Sequence, residues 1–109
     1  MQLHHLRVFA VVAAELSFTR ASVRLHCAQS TVTAQIKQLE RDLGVELFRR
    51  RGRCRIELTV AGALLLERVE VILQVVEETQ RDLRALPGAV PRIGTRWEAG
   101  PAPRPLRAG

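Results

Sequence analysis

The sequence predicts a mainly α-helical chain, with three short helices and one small β-hairpin in residues 1–60, then one long helix. Three observations carry that expectation. Apolar residues recur at three- and four-residue spacing through residues 3–43, the mark of helices with one buried stripe. A basic run around Gly52 leads into the alternating Arg55-Ile56-Glu57-Leu58-Thr59, the pattern of a strand with one covered face. From Leu65 to Leu86 apolar residues fall alternately four and three apart, the seam of paired long helices.

Composition bounds the partners. The chain has 109 residues, 47% apolar and 4% aromatic, so one small domain with a largely aliphatic core is expected. The net charge of +6 is uneven: residues 1–60 hold ten Lys/Arg against five Asp/Glu, and residues 61–109 hold seven against six. A basic first half points to a polyanion, although charge kept for solubility has the same sign. Only Cys27 and Cys54 are present, without CxxC spacing; this is no disulfide framework and fits free thiols of the cytosol. No run approaches the ~20 apolar residues of a membrane span, and MQLHHLRVFAVV carries no cleavage-site pattern. The expected location is cytoplasmic, with no membrane partner.

The elements follow in order. Leu3, Leu6, Phe9, Ala10 and Ala13 form one stripe, so residues 3–14 are expected as the first helix. Ser17 is placed to cap the next helix, its hydroxyl accepting an otherwise orphan amide. Phe18, Ala21, Ser22 and Leu25 give that short second helix. A turn at His26–Ala28 leads to a third helix, striped by Val32, Ile36, Leu39 and Leu43 and ending at Gly44, a natural left-handed terminator. The second and third helices with their short turn make a helix-turn-helix, about residues 18–37, whose second helix can enter a major groove. The run LFRRRGRCRIELT adds a basic hairpin turning at Gly52. A three-helix core with such a hairpin is a winged helix-turn-helix, here residues 1–60. Residues 61–86 are expected as a dimerisation helix of roughly 40 Å. Its seam is Leu65, Val69, Ile72, Val76, Thr79, Leu83 and Leu86, six of the seven apolar. Packing back onto the first helix is the alternative to pairing with a second copy. Residues 87–109 hold all five prolines and four of the seven glycines, and this Pro/Gly/Arg-rich tail is expected to be disordered.

The third helix has an unusual outer face. Ser30, Thr31, Ala34, Lys37, Gln38 and Arg41 lie opposite its apolar stripe, and no acid appears before Glu40. Short side chains let a helix approach base edges. Gln29 and Gln35 can hydrogen-bond adenine or a phosphate, and the methyls of Thr31, Thr33 and Ala34 can meet a thymine methyl. Taken alone the stretch is equally an ordinary solvent face. It has company, however. Arg49, Arg50, Arg51, Arg53 and Arg55 crowd one turn, suited to phosphates or a narrow minor groove. Arg20 and Arg24 add a candidate phosphate-facing pair on the second helix.

The segment SFTRASVRLHCAQSTVTAQIKQLERDLGVELFRR, followed by LTVAG, resembles the N-terminal winged helix-turn-helix of LysR-type transcriptional regulators. The match runs through Ser17, Phe18, Thr19, Ala21, Leu25, Gln29, Ser30, Val32, Ile36, Leu39, Glu40, Leu43, Gly44, Leu47, Phe48, Arg50, Leu58, Thr59, Ala61 and Gly62, and the resemblance covers about residues 1–86. It implies a dimer on a pseudo-palindromic operator, the third helix in the major groove and the wing beside it. Three departures stand out: Ser22 where the family usually has a second alanine, Ala28 where it often has serine, and Val60 where it has a helix-starting proline. Such regulators continue into a two-lobed effector-binding domain that opens near a strand like Val90-Pro91-Arg92-Ile93-Gly94. This chain runs into GPAPRPLRAG at that point, and is expected to lack the effector-binding domain and any small-molecule inducer site.

The expected DNA-binding residues are Ser17, Thr19, Arg20, Gln29, Ser30, Thr31, Thr33, Ala34, Gln35, Lys37, Arg50, Arg51 and Arg53. The expected dimerisation residues are Leu65, Val69, Ile72, Val76 and Leu83. The partners are double-stranded DNA and a second copy; a heterodimer with a full-length paralogue, which it would inhibit, is the alternative. On DNA the chain would be nucleoid-associated. No catalytic residues, cofactor or metal are expected: His4 and His5 point about 100° apart on a helix, and His26, Cys27 and Cys54 lack the close-spaced pairs usual for zinc. Cys27 is expected as a small buried or half-buried residue rather than a redox switch.

Overall fold

The computed structural model describes residues 1–53 and 55–88. Within them run α1 (Leu3–Glu15), α2 (Phe18–Leu25), α3 (Gln29–Leu43), β1 (Phe48–Arg50), β2 (Ile56–Leu58) and α4 (Val60–Arg84). The strands pair antiparallel, Phe48 opposite Leu58, Arg49 opposite Glu57 and Arg50 opposite Ile56. The fold is mainly helical with a winged helix-turn-helix and a long closing helix. Cys54 and the tail from residue 89 onward, including VPRIG, lie outside the described residues.

Each boundary has a local cause. The Ser17 hydroxyl accepts the amide of Arg20 at 3.1 Å and starts α2. That helix ends on His26, held at φ 57° while the amide of Cys27 reaches back to the carbonyl of Ser22 at 3.1 Å. α1 ends likewise on Leu16, at φ 49°. Both are left-handed positions that glycine usually takes. α3 begins at Ala28 without a side-chain cap and ends at Gly44, φ 74°. Gly52, φ 81°, turns the hairpin, closed by the amide of Arg51 on the carbonyl of Arg55 at 2.8 Å.

The core gathers apolar residues from every element of unit Met1–Glu77. Leu6, Val8, Phe9, Val12, Val32, Ile36, Leu39, Leu47, Phe48, Ile56 and Val69 are all buried. The core is largely aliphatic, as expected, with one aromatic cluster at the wing. Phe48 on the wing lies 5.3 Å, ring to ring, from Phe9 on α1 and 6.0 Å from Phe18 on α2. All three phenylalanines of the chain thus meet where the wing docks. Leu3, expected in the stripe of α1, is instead exposed, and Val8 and Val12 widen the buried face.

Two further contacts fix the wing and α4. The Glu40 carboxylate of α3 accepts the amides of Leu47 at 2.8 Å and Phe48 at 3.4 Å, so α3 itself sets where β1 begins. Thr59 joins wing to helix: its hydroxyl donates to the carbonyl of Glu46 at 2.6 Å and accepts the amide of Gly62 at 3.0 Å. A Cβ on Gly62 would collide with the carbonyl oxygen of Leu47 and lie 2.9 Å from Leu58 Cδ2. The alanine–glycine step after Thr59 is therefore a close-packing requirement, met without proline at residue 60.

Three residues of the expected dimer seam lie in or against this core. Val69 is fully buried, and Leu65 and Ile72 are half-buried against the same cluster. Val76 is half-buried. The outward apolar residues of this stretch are Leu64, Val71 and Val75, each at least half exposed. A four–three apolar spacing serves a helix lying on its own domain as well as one lying on a partner, which is why the sequence did not separate the two. The second unit, Glu78–Gly109, holds the end of α4 among its described residues, with Leu83 exposed.

Candidate nucleic-acid interface

The start of α2, the start of α3 and the inner face of the wing border one cleft. It has a volume of about 390 Å³ and is lined by Ser17, Phe18, Thr19, Arg20, Gln29, Arg50, Arg53 and Ile56. A second, narrower hollow of about 140 Å³ continues along α3, where Gln29, Thr33 and Lys37 face Arg49, Arg50 and Ile56. Arg50 belongs here because strand alternation puts it on the side of Phe48 and Ile56, toward the helices. Arg50 itself stays exposed while Phe48 and Ile56, on the same face of the ladder, are buried. Most of the expected DNA-binding set is thereby brought together, with five cations around it: Arg20, Lys37, Arg49, Arg50 and Arg53.

Not every member has a free functional group. The Ser17 hydroxyl is spent on capping α2. The Thr19 hydroxyl donates to Gln29 Oε1 at 3.0 Å, which ties the two helices at their starts and leaves the Gln29 Nε2 group leading outward. Ser30, Thr31 and Ala34 lie exposed on the open face of α3. Gln35 is half-buried and sits about 40° from Thr31 around the helix, on the flank away from Thr33. Arg24, a candidate phosphate contact, is paired with Glu15 at 3.0 Å.

The far half of α3 is occupied by a network of its own. Arg41 Nη2 donates to Gln38 Oε1 at 2.9 Å, and Gln38 Nε2 donates to Asp42 Oδ1 at 2.9 Å. The bond from Gln38, followed by that from the N-terminal ammonium, holds the Asp42 carboxyl below its usual range. The groups of α3 that remain open are those of residues 29–37.

Four of the five wing arginines fall into two sets. Arg49 Nε lies 3.5 Å from Glu57 Oε2, and Arg51 Nη1 lies 3.1 Å from Glu57 Oε1. Glu57 thus holds two of them: Arg51 lines a wider cleft with Glu15, Ser17, Arg20 and Arg55, and Arg49 also borders the hollow along α3. Arg51, expected as a direct DNA contact, is therefore already paired. Neither Glu57 nor Arg55 belonged to the expected set; the pairing needs a strand register that composition does not reveal. Cys27 is an exposed free thiol, not the buried residue expected. His4 is exposed and His5 buried. Among the described residues no group of His, Cys, Asp and Glu could hold a metal ion, and no helix is long and apolar enough to cross a membrane.

Residues 3–63 match the bacterial regulatory helix-turn-helix proteins of the lysR family. The chain belongs to the LysR family. A probable RuBisCO transcriptional regulator of Trichormus variabilis is 43% identical over 101 residues, 90% of this chain and 30% of that protein. The HTH-type transcriptional regulator AlsR of Bacillus subtilis is 41% identical over 92 residues, 81% of this chain and 30% of that protein. This LysR-family chain spans about 30% of the length of both relatives. Among solved structures, the CbnR DNA-binding domain in complex with DNA superposes with a TM-score of 0.74 at 39% identity, covering 78% of this chain and 97% of that one. The BenM DNA-binding domain on catB site 1 DNA gives 0.72 at 33%, covering 77% and 92%. The two curated relatives are named as transcriptional regulators, and the chain carries the LysR-type helix-turn-helix domain.

Proposed function

We propose that this chain binds double-stranded DNA in a sequence-specific manner, as a homodimer on an inverted-repeat operator, and so regulates transcription. The observation that carries the reading is the cleft where Gln29, Arg20, Arg50 and Arg53 converge from three elements. A short-sided helix flanked by unpaired cations is the chemistry a duplex needs: base edges are read by the helix, phosphates are held beside it. Support also comes from the LysR-type domains solved with DNA. In this reading Gln29, Ser30, Thr31, Thr33 and Ala34 meet the major groove, and Lys37, Arg20, Arg50 and Arg53 meet the backbone. Thr19 positions Gln29, and Ser17 starts the helix that carries both. The second copy docks through α4 on the face carrying Leu64 and Val71, since Val69 lies in the core. The chain acts in the cytoplasm on the nucleoid, with no cofactor and no inducer bound to these residues.

The test is a fluorescence-anisotropy titration with labelled duplex and single-stranded DNA at several salt concentrations. The reading expects duplex binding that weakens steeply with salt. Equal affinity for both forms would overturn it.

A further inference from the structure

The wing carries five arginines in residues 49–55 and one carboxylate, Glu57, across the ladder. That carboxylate is fully engaged. Its two oxygens serve different guanidinium groups, Oε2 that of Arg49 and Oε1 that of Arg51. The pair Arg49–Glu57 sits directly opposite across the ladder, where side chains approach most closely. Arg51 reaches the same acid from the start of the turn. By contrast, among the described residues no carboxylate lies within ion-pair distance of Arg50, Arg53 or Arg55, and the first two line the α2–α3 cleft.

The division has a consequence for selectivity. Contacts to phosphate supply affinity without reading sequence, and each one adds to the salt dependence. Five uncompensated arginines on one turn would hold any duplex. A duplex that wants Arg49 or Arg51 must instead displace Glu57, while Arg50 and Arg53 are available at once beside the reading helix.

We propose that Glu57 is a built-in counter-ion that withholds Arg49 and Arg51 from phosphates, and so sets the ratio of specific to non-specific DNA binding. This rests on the DNA-binding reading above. Glu57 touches no base in this account; it acts through the two arginines.

The test compares the wild-type chain with E57Q on a selected-site duplex and on a random-sequence duplex across a salt series. E57Q is expected to hold the random duplex roughly three- to fivefold tighter, the scale of an exposed ion pair. Its salt slope on that duplex should steepen by up to about two. The selected site should gain less, so the specificity ratio falls. In an R49A/R51A background the same change should lose most of its effect. A gain there equal to that in the native wing would show general charge removal instead, and would overturn the proposal. So would E57Q binding unchanged or weaker on the random duplex, with an unaltered thermal unfolding midpoint confirming that it is folded. A wild-type chain that holds no duplex at any salt would remove the DNA-binding reading and this one together; wild-type binding with an inert E57Q removes this one alone.

Discussion

Arg50 is the wing residue whose position distinguishes a phosphate contact from a solvated charge. It shares a face with two buried apolar residues and still keeps its guanidinium exposed beside α3. Changing it to alanine should weaken binding to all sequences alike and flatten the salt slope by about one; an unchanged slope, read by anisotropy, would assign Arg50 no phosphate. Gln29 and Thr33 should behave differently. Replacing either with alanine should alter sequence preference by about 1–3 kcal/mol per lost base contact, measured on single-position operator variants. At this scale the sequence was partly legible. Residue types at helical spacing singled out Gln29, Thr33 and Lys37, which line one hollow along α3. The hydroxyl of Thr19 could not be assigned, because its partner lies ten positions away across a turn. Polarity alone also does not say on which flank of α3 a residue such as Gln35 sits.

The elements are held to one another by few groups, and these give sharper tests than the surface does. Glu40 accepts two amides at the start of β1. Its change to alanine leaves both without their acceptor, and a buried donor without a partner costs about 1–3 kcal/mol. Chemical denaturation should show that loss, and DNA binding should weaken with it because the wing drifts from α3. Gly62 should tolerate even less. Its replacement by alanine pushes a methyl into the Leu47 carbonyl, where overpacking typically costs about 1–3 kcal/mol; an unchanged unfolding midpoint would show that α4 can shift freely. Helix ends were readable where a residue announced them, at Ser17 and Gly44. The turns on Leu16 and His26 were not announced by glycine, and only the backbone reveals that they are left-handed.

Across the whole molecule the main revision concerns α4. Its apolar seam was legible, but not its destination. One side is laid on the core through Leu65, Val69 and Ile72, and the exposed set is offset to Leu64, Val71 and Val75. The dimer face proposed above is therefore this exposed set. Val71→Asp, with Leu64→Asp, should yield folded monomers by sedimentation, whereas Val69→Asp should unfold the domain, since an unpaired charge would enter a dry core. A dimer that survives the first pair of changes would place the interface elsewhere. Weakened operator binding in the monomers would follow from losing the second half-site.

The central claim is that this cleft and helix read a sequence, and as a pair. The most direct test is selection of bound duplexes from a random pool, followed by a salt titration on the winners. The account predicts inverted half-sites separated by about one helical turn or slightly more. Salt-sensitive binding with no enriched sequence would contradict it, leaving a domain that holds DNA only by its charge.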